Sequence, residues 1–362
     1  MSKRKVFLHV GAPKTGTTYV QDRLALNARG LAEHAVHFPN KRLFADPTLF
    51  HFRAALDLLD QDWGGPSGHA RGAWSSMVRM TQRRSGTVII SHEILAPAPA
   101  EKIARVMNDL QGSEIHVVYT ARDMVRQLPA AWQESIKQGR RWSFDRFLAK
   151  AEDGIPWFMR AFDLPSVLTA WGRTLPPERI HVVTVPQRST NENLLWERTC
   201  EAFGIDPTWA HLDSERANAG LGVAETELLR RLNRQLDRST RSTAAHDELI
   251  QTMLDRSELG RRRSRKVQLP PAHYDWAQAE AQRWTAWVEQ AGVHVVGDLA
   301  DLQTGPPPAD LPEDPNTVRS KAITKAAVNA LTVMTREAAS RPDPSRELGA
   351  RIKARAGQIR QR

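Results

Sequence analysis

The chain has one cysteine, Cys200, in 362 residues. A lone thiol can form neither an internal disulfide nor a thiolate metal cluster, so both kinds of staple are excluded. Cys200 falls inside a helical-looking segment, 193–204, and reads as a small core residue. Long hydrophobic runs are also missing. No apolar stretch approaches the ~20 residues a membrane span needs, and no charged leader precedes an apolar signal segment. The expectation is a cytoplasmic protein without a transmembrane segment. Tyrosine is scarce at 3 residues, against 11 tryptophans, which at helical spacing read mostly as core.

At 41% hydrophobic and 25% charged residues the composition is that of an ordinary globular protein, long enough for one large domain or two modest ones. The net charge of +10 is unevenly spread: 306–362 alone carries 11 Lys and Arg against 6 Asp and Glu. That stretch follows Gly305 with three prolines and ends in repeated Arg, Lys and Ala. It reads as a basic Pro/Ala/Arg-rich tail, partly helical or disordered, attached to a main domain over 1–305. The mild charge left on the body suits an anionic cofactor as well as a nucleic acid. Within the tail Ile323, Ala327, Leu331 and Met334 recur at helical spacing, a stripe that can dock on the body or, in a homo-oligomer, on a second subunit.

Five β-branched apolar runs alternate with helical patterns: 5–10, 34–38, 87–91, 115–120 and 180–185. The alternation predicts an α/β fold, a parallel sheet flanked by helices, with a largely helical C-terminal part that includes 224–236 and 274–290. Runs such as "TVII" and "IHVVYT" suit strands covered on both faces. The run "VHVVGDLADL" reads as a short late apolar segment closing the domain. Ligands of such sheets bind beyond the carboxyl ends of the strands, so the residues after each strand carry the functional reading.

After the first strand comes "HVGAPKTGTTYV". Gly11 and Gly16 keep the spacing of a nucleotide phosphate loop, but Thr17 stands where the usual lysine would follow the second glycine, and Lys14 lies inside the loop. Glycines let backbone N–H groups turn inward around an anion, the next helix offers its positive end, and Thr15, Thr17 and Thr18 add hydroxyls. In Pro13, Lys14, Thr15, Gly16, Thr17 and Thr18 the sequence resembles the sulfotransferases that use 3′-phosphoadenosine 5′-phosphosulfate as co-substrate. More narrowly it looks like the sulfotransferase-type proteins common in actinobacteria. The resemblance implies a P-loop NTPase-like fold. It also implies that this loop holds the 5′-phosphosulfate, with Lys14 near the oxygen bridging phosphate and sulfuryl group.

Arg122 follows the strand 115–120, where the resembling family places an arginine on the 3′-phosphate; a planar guanidinium suits paired bonds to phosphate oxygens. The family's serine eight residues on is Ala130 here, which leaves Arg126 and Gln127 as candidates to take its place. Arg261, Arg262, Arg263, Arg265 and Lys266 form a dense basic cluster. It is either a solvated charge run or the counterpart of the family's late basic loop over the 3′-phosphate, with Arg263 and Arg265 as its cofactor contacts. His92 and Glu93, side by side after the strand 87–91, are the candidates to take a proton from the acceptor, a role the family gives to a histidine or a glutamate. In an extended stretch neighbouring side chains point to opposite faces, so one of the two is expected to reach the acceptor, with Glu93 favoured. His51 and Phe52, near Trp63, are candidates to line an acceptor pocket.

The reading is an enzyme that moves a sulfuryl group to a hydroxyl of a small molecule, carbohydrate or lipid, with no metal required and no nucleic-acid partner. Two rivals are weighed. A nucleotide-dependent kinase wants lysine after the second glycine and an acidic residue for Mg²⁺. A basic nucleic-acid binder would bind through its tail, and nothing like a recognition helix supports it.

Overall fold

The computed structural model describes residues 4–40, 47–187, 189–214, 220–241, 250, 265–309 and 314–340. Six parallel strands form one sheet: β1 (Lys5–Gly11), β2 (Val36–His37), β3 (Thr87–Ser91), β4 (Glu114–Ala121), β5 (Ile180–Thr184) and β6 (His294–Val296), in the order β2-β3-β1-β4-β5-β6. All five predicted strands are present, and the late apolar segment contributes the sixth. Between them run α1 (Thr17–Leu26), α2 (Ala28–Glu33), α3 (Pro47–Leu58), α4 (Ala73–Gln82), α5 (Ala100–Asp109), α6 (Met124–Lys137), α7 (Phe144–Glu152), α8 (Trp157–Phe162), α9 (Leu164–Gly172), α10 (Leu194–Phe203) and α11 (Val223–Gln235). Two further helices span Tyr274–Ala291 and Ser320–Ser340. This is the α/β architecture that the alternating pattern predicts.

The strands are apolar almost throughout because both faces are covered. Val6, Leu8, Val10, Val88, Ile90, Val117 and Val182 face a large core built with α3, α4, α5, α6 and α9. Phe7, Ile89, Val118, Val183 and Val296 face a smaller one completed by Val20 and Leu24 of α1 and Trp196 and Phe203 of α10. Cys200 is buried in that second core, where burial pushes its thiol up to about 12 and leaves it inert.

The tail helix Ser320–Ser340 packs against α11 and buries Ile323, Ala326 and Ala330. Leu331, expected on the docking stripe, is 66% exposed. Small alanines let the helix approach closely along 323, 326 and 330, and this turns Leu331 outward. None of the described helices is long and apolar enough to cross a membrane.

Topology places the site. β1 has β3 on one side and β4 on the other. The chain first builds outward to β2 and β3, then crosses to β4, β5 and β6, so the order reverses around β1, the kind of switch point beside which ligands of open parallel sheets bind. The β1–β4 register shifts between His9 and Gly11, just where the phosphate-loop-like segment begins.

Candidate anion-binding and catalytic site

The segment Gly11–Gly16 closes the carboxyl end of β1 and hands the chain to α1. Lys14 has φ 65° and Gly16 φ 92°, so the loop coils tightly enough to turn successive amides the same way. The N–H groups of Lys14, Thr15 and Gly16 meet no acceptor among the described residues, and no side chain caps α1. At Gly16 the positive φ disfavours any side chain, and a Cβ would stand 2.6 Å from Leu195 Cδ2, so that the leucine would also have to move.

A buried polar network holds the loop from below. Thr120 Oγ1 donates to the Gly11 carbonyl at 2.7 Å, and Thr15 Oγ1 donates to the Ala12 carbonyl at 2.5 Å. His9 joins Ser91 Oγ at 2.8 Å through Nδ1, and Gln21 Nε2 reaches the same hydroxyl at 3.1 Å. Sequence reasoning missed this network, because its members sit on three strands, the loop and a helix. Thr15 and Thr17 are buried, Pro13 is buried beneath the loop, and Thr18 is exposed at the start of α1.

Arg122 lies against the loop, its Nη1 donating to the Lys14 carbonyl at 3.0 Å. Burial, with Arg126 nearby, lowers its guanidinium to about 10, which leaves it charged at neutral pH. Its Nε is buried without an acceptor among the described residues. Gln127 Nε2 donates to the Pro13 carbonyl at 3.1 Å, while its Oε1 is buried and unpaired. Arg126 is committed elsewhere: it pairs with Asp123 and donates to the carbonyls of Pro186 at 3.0 Å and Val185 at 3.3 Å. It braces the exit of β5. Ala130 lies on α6, with Gln127 one turn before it and Glu134 one turn after.

Glu134 is the partner that the sequence reading overlooked. Its Oε2 accepts from Lys14 Nζ at 2.9 Å. Burial pushes its carboxyl upward, but the ammonium groups of Lys14 and Lys137 outweigh this and hold it below its ordinary value. A carboxylate on this lysine competes with any anion the loop would take. Glu134→Gln is therefore expected to tighten binding of a phosphorylated ligand on the order of fivefold, read by titration calorimetry at constant salt.

His92 and Glu93 do not lie on opposite faces. The strand ends at Ser91, and Glu93–Leu95 is a 3₁₀ turn with His92 at its N-cap, so the extended-chain argument stops applying one residue too early. His92 Nδ1 accepts from the Ile94 amide at 3.3 Å and lies 3.9 Å from Glu93 Oε2. That bond places the ring proton of a neutral His92 on Nε2, and burial lowers its pKa. Glu93 Oε2 is buried with no donor among the described residues.

The pocket candidates separate. His51 is 1% exposed and internal: Nε2 donates to the Pro39 carbonyl at 2.9 Å and Nδ1 accepts from the Ser91 amide at 3.2 Å. Both ring nitrogens are used within the fold. Phe52 is half-buried, its ring centre 5.1 Å from that of His92 and 5.0 Å from that of Trp63, which is 45% exposed.

Arg263 lies outside the described residues. Arg265 and Lys266 are described: Lys266 bridges Gly222, and the Arg265 carbonyl accepts from the Val223 amide. The neighbouring Leu221 carbonyl accepts from Gln133 of α6 at 2.7 Å. The end of the basic cluster is thus tied through 221–223 to the helix that carries Gln127 and Glu134.

No protein-family model and no curated protein matches the chain. Among solved structures it is similar to a sulfotransferase from Alicyclobacillus acidocaldarius, at 12% identity and a TM-score of 0.36, over 66% of this chain and 98% of that one. At that distance the functional reading rests on the residues of the site.

Proposed function

We propose that the chain is a sulfotransferase that moves a sulfuryl group from 3′-phosphoadenosine 5′-phosphosulfate to a hydroxyl acceptor. The observation that carries the reading lies at the carboxyl ends of β1, β3 and β4, where the loop amides, a buried Arg122 Nε and a buried Glu93 Oε2 have no partner among the described residues. Donors gather at the loop, where an anion would displace Glu134 from Lys14, and the Glu93 carboxylate stands where a hydroxyl proton would leave.

The co-substrate supplies the sulfuryl group and the phosphate that departs from it. The amides of Lys14, Thr15 and Gly16 with the Lys14 ammonium bind the 5′ group and stabilise charge on the leaving oxygen. Arg122 takes the 3′-phosphate, with Gln127 and the basic segment at Arg265 as its neighbours. Glu93 accepts the acceptor's proton as the new O–S bond forms in line with the breaking one. His92, holding its proton on Nε2, donates to the acceptor rather than deprotonating it. Phe52 and Trp63 form an apolar wall suited to a sugar or phenol ring.

The test is calorimetric titration with adenosine 3′,5′-bisphosphate beside Mg²⁺-ATP. The bisphosphate is expected to bind and Mg²⁺-ATP not to. Arg122→Ala should weaken the bisphosphate at least about tenfold, the scale of a lost charge-assisted hydrogen bond. A preference for Mg²⁺-ATP, or indifference to both, overturns the reading.

A further inference from the structure

The opposite end of the sheet holds titratable groups that this reaction does not use. β4, β5 and β6 carry the same tripeptide, His-Val-Val, starting at His116, His181 and His294. Parallel pairing sets His181 beside His294, and Val118 beside His181, so His116 lies two residues upstream on the same face. The rings join in a row. His116 Nδ1 is 2.9 Å from His181 Nε2, and His181 Nδ1 is 2.9 Å from His294 Nδ1. At the far end His116 Nε2 is 3.0 Å from Glu114 Oε1. His116 and His181 are buried and His294 is exposed.

The groups facing the row are few. From β1, Phe7 stacks on His116 at 4.7 Å, and Lys5 Nζ lies 3.7 Å from Glu114 Oε1. Phe203 of α10 covers Phe7, and Arg179, just before β5, adds positive charge. Two nitrogens bound to one tetrahedral metal stand about 3.3 Å apart, so contacts of 2.9 Å are hydrogen bonds.

Each of those contacts holds a single hydrogen. The carboxylate contact needs one on His116 Nε2, the two ring–ring contacts need one each, and the remaining ring nitrogen is His294 Nε2. Three neutral rings supply three hydrogens, one per contact. A fourth fits, because His294 Nε2 can carry it and tautomer shifts can place the charge on any ring. A fifth fits nowhere, since it would set two N–H groups against each other in one gap.

We propose that Glu114, His116, His181 and His294 form a one-proton latch that holds the edge strand β6 on β5 and releases it when a second proton enters. Burial, reinforced by His116 and His294, lowers His181 to about 4, which keeps the latch closed at neutral pH. The weak rung is the outer one. β6 pairs with β5 through His181↔His294, Val182↔Val295 and Val183↔Val296, and among the described residues no strand lies on its other side. Just beyond β6, Asp301 accepts from Thr184 Oγ1 at 2.9 Å and Arg198 Nη1 at 2.6 Å, at the β5 exit that seats Arg126. Release of β6 therefore loosens the site from its outer side. The latch does not depend on what the site transfers.

Hydrogen exchange of the full chain between pH 7.5 and 4.5 tests it, with rates corrected for intrinsic exchange. Protection of 292–303 is expected to fall about tenfold further than that of β4 as the pH drops. In His181→Phe that excess fall should vanish, whatever the protection at neutral pH. An unchanged fall in the variant, or none in the wild type, overturns the latch. If His181→Phe does not fold, ring ¹⁵N NMR of the wild type decides. The latch requires Nε2–H tautomers on His116 and His181 at pH 7.5, and uptake of one proton by the three rings before β6 exchanges. Nδ1–H tautomers on His116 or His181, or two protons taken up with β6 still protected, overturn it.

Discussion

Lys14→Ala is expected to cut sulfuryl transfer by about two to three orders of magnitude while changing the affinity for adenosine 3′,5′-bisphosphate only a few-fold. In the resting protein the ammonium is already satisfied by Glu134 at 2.9 Å. Binding an anion there exchanges one partner for another, and the net gain is small. Charge that develops on the leaving oxygen has no such prior claim, so the lysine acts mainly on the rate. Steady-state kinetics with a phenol or sugar acceptor, beside calorimetry of the bisphosphate, separates the two. Equal losses in rate and affinity would make Lys14 a plain binding group, and no loss in either would remove it from the mechanism.

Acidification is expected to destabilise the protein by about 2 kcal/mol for each of two buried histidines between pH 7 and pH 5. Burial lowers His51 to about 3 and His9 to about 4, against an ordinary value of 6.5. Below 6.5 the unfolded chain binds protons that the folded one refuses. The stability is therefore complete above that value and is lost as the pH falls toward 4 for His9 and 3 for His51. The two rings share Ser91, whose hydroxyl meets His9 and whose amide donates to His51, but both stay neutral in the folded chain down to pH 5, so their contributions to the pH dependence add. Urea unfolding at both pH values measures the fall. His51→Gln, less stable at pH 7, should show a shallower pH dependence; a parallel curve would place the acid sensitivity elsewhere.

The sheet was legible because buried parallel strands need β-branched runs on both faces, and five of the six announce themselves that way. β6 showed only as a short late apolar segment, because its three residues run straight into Gly297 and a 3₁₀ turn. The phosphate-loop-like segment was legible from its glycines, since positive φ restricts what can stand at Gly16. Arg122 drew notice by its position after β4, but its bond to the Lys14 carbonyl was not legible, because the two residues are far apart in the chain. Glu134 was invisible because its meaning comes from Lys14, 120 residues away. His51 misled for a related reason: a histidine among aromatics at helical spacing looks the same whether it lines a pocket or bonds Pro39 and Ser91 inside the fold. The opposite-face expectation for His92 and Glu93 failed on local backbone, where a strand became a 3₁₀ turn one residue earlier than alternation assumes.

The central position of β1 bears on how the molecule assembles. The strand that ends in the phosphate-loop-like segment pairs Lys5 with Thr87 on one side and with Glu114 on the other, so both its neighbours are made long after it during synthesis. Such separations put the entropy of closing large loops ahead of any pairing energy and favour slow folding. Until β4 is synthesised, β1 has an unpaired edge beside the one already able to bind β3, and that interval is when the nascent chain is most open to pairing with another copy of itself.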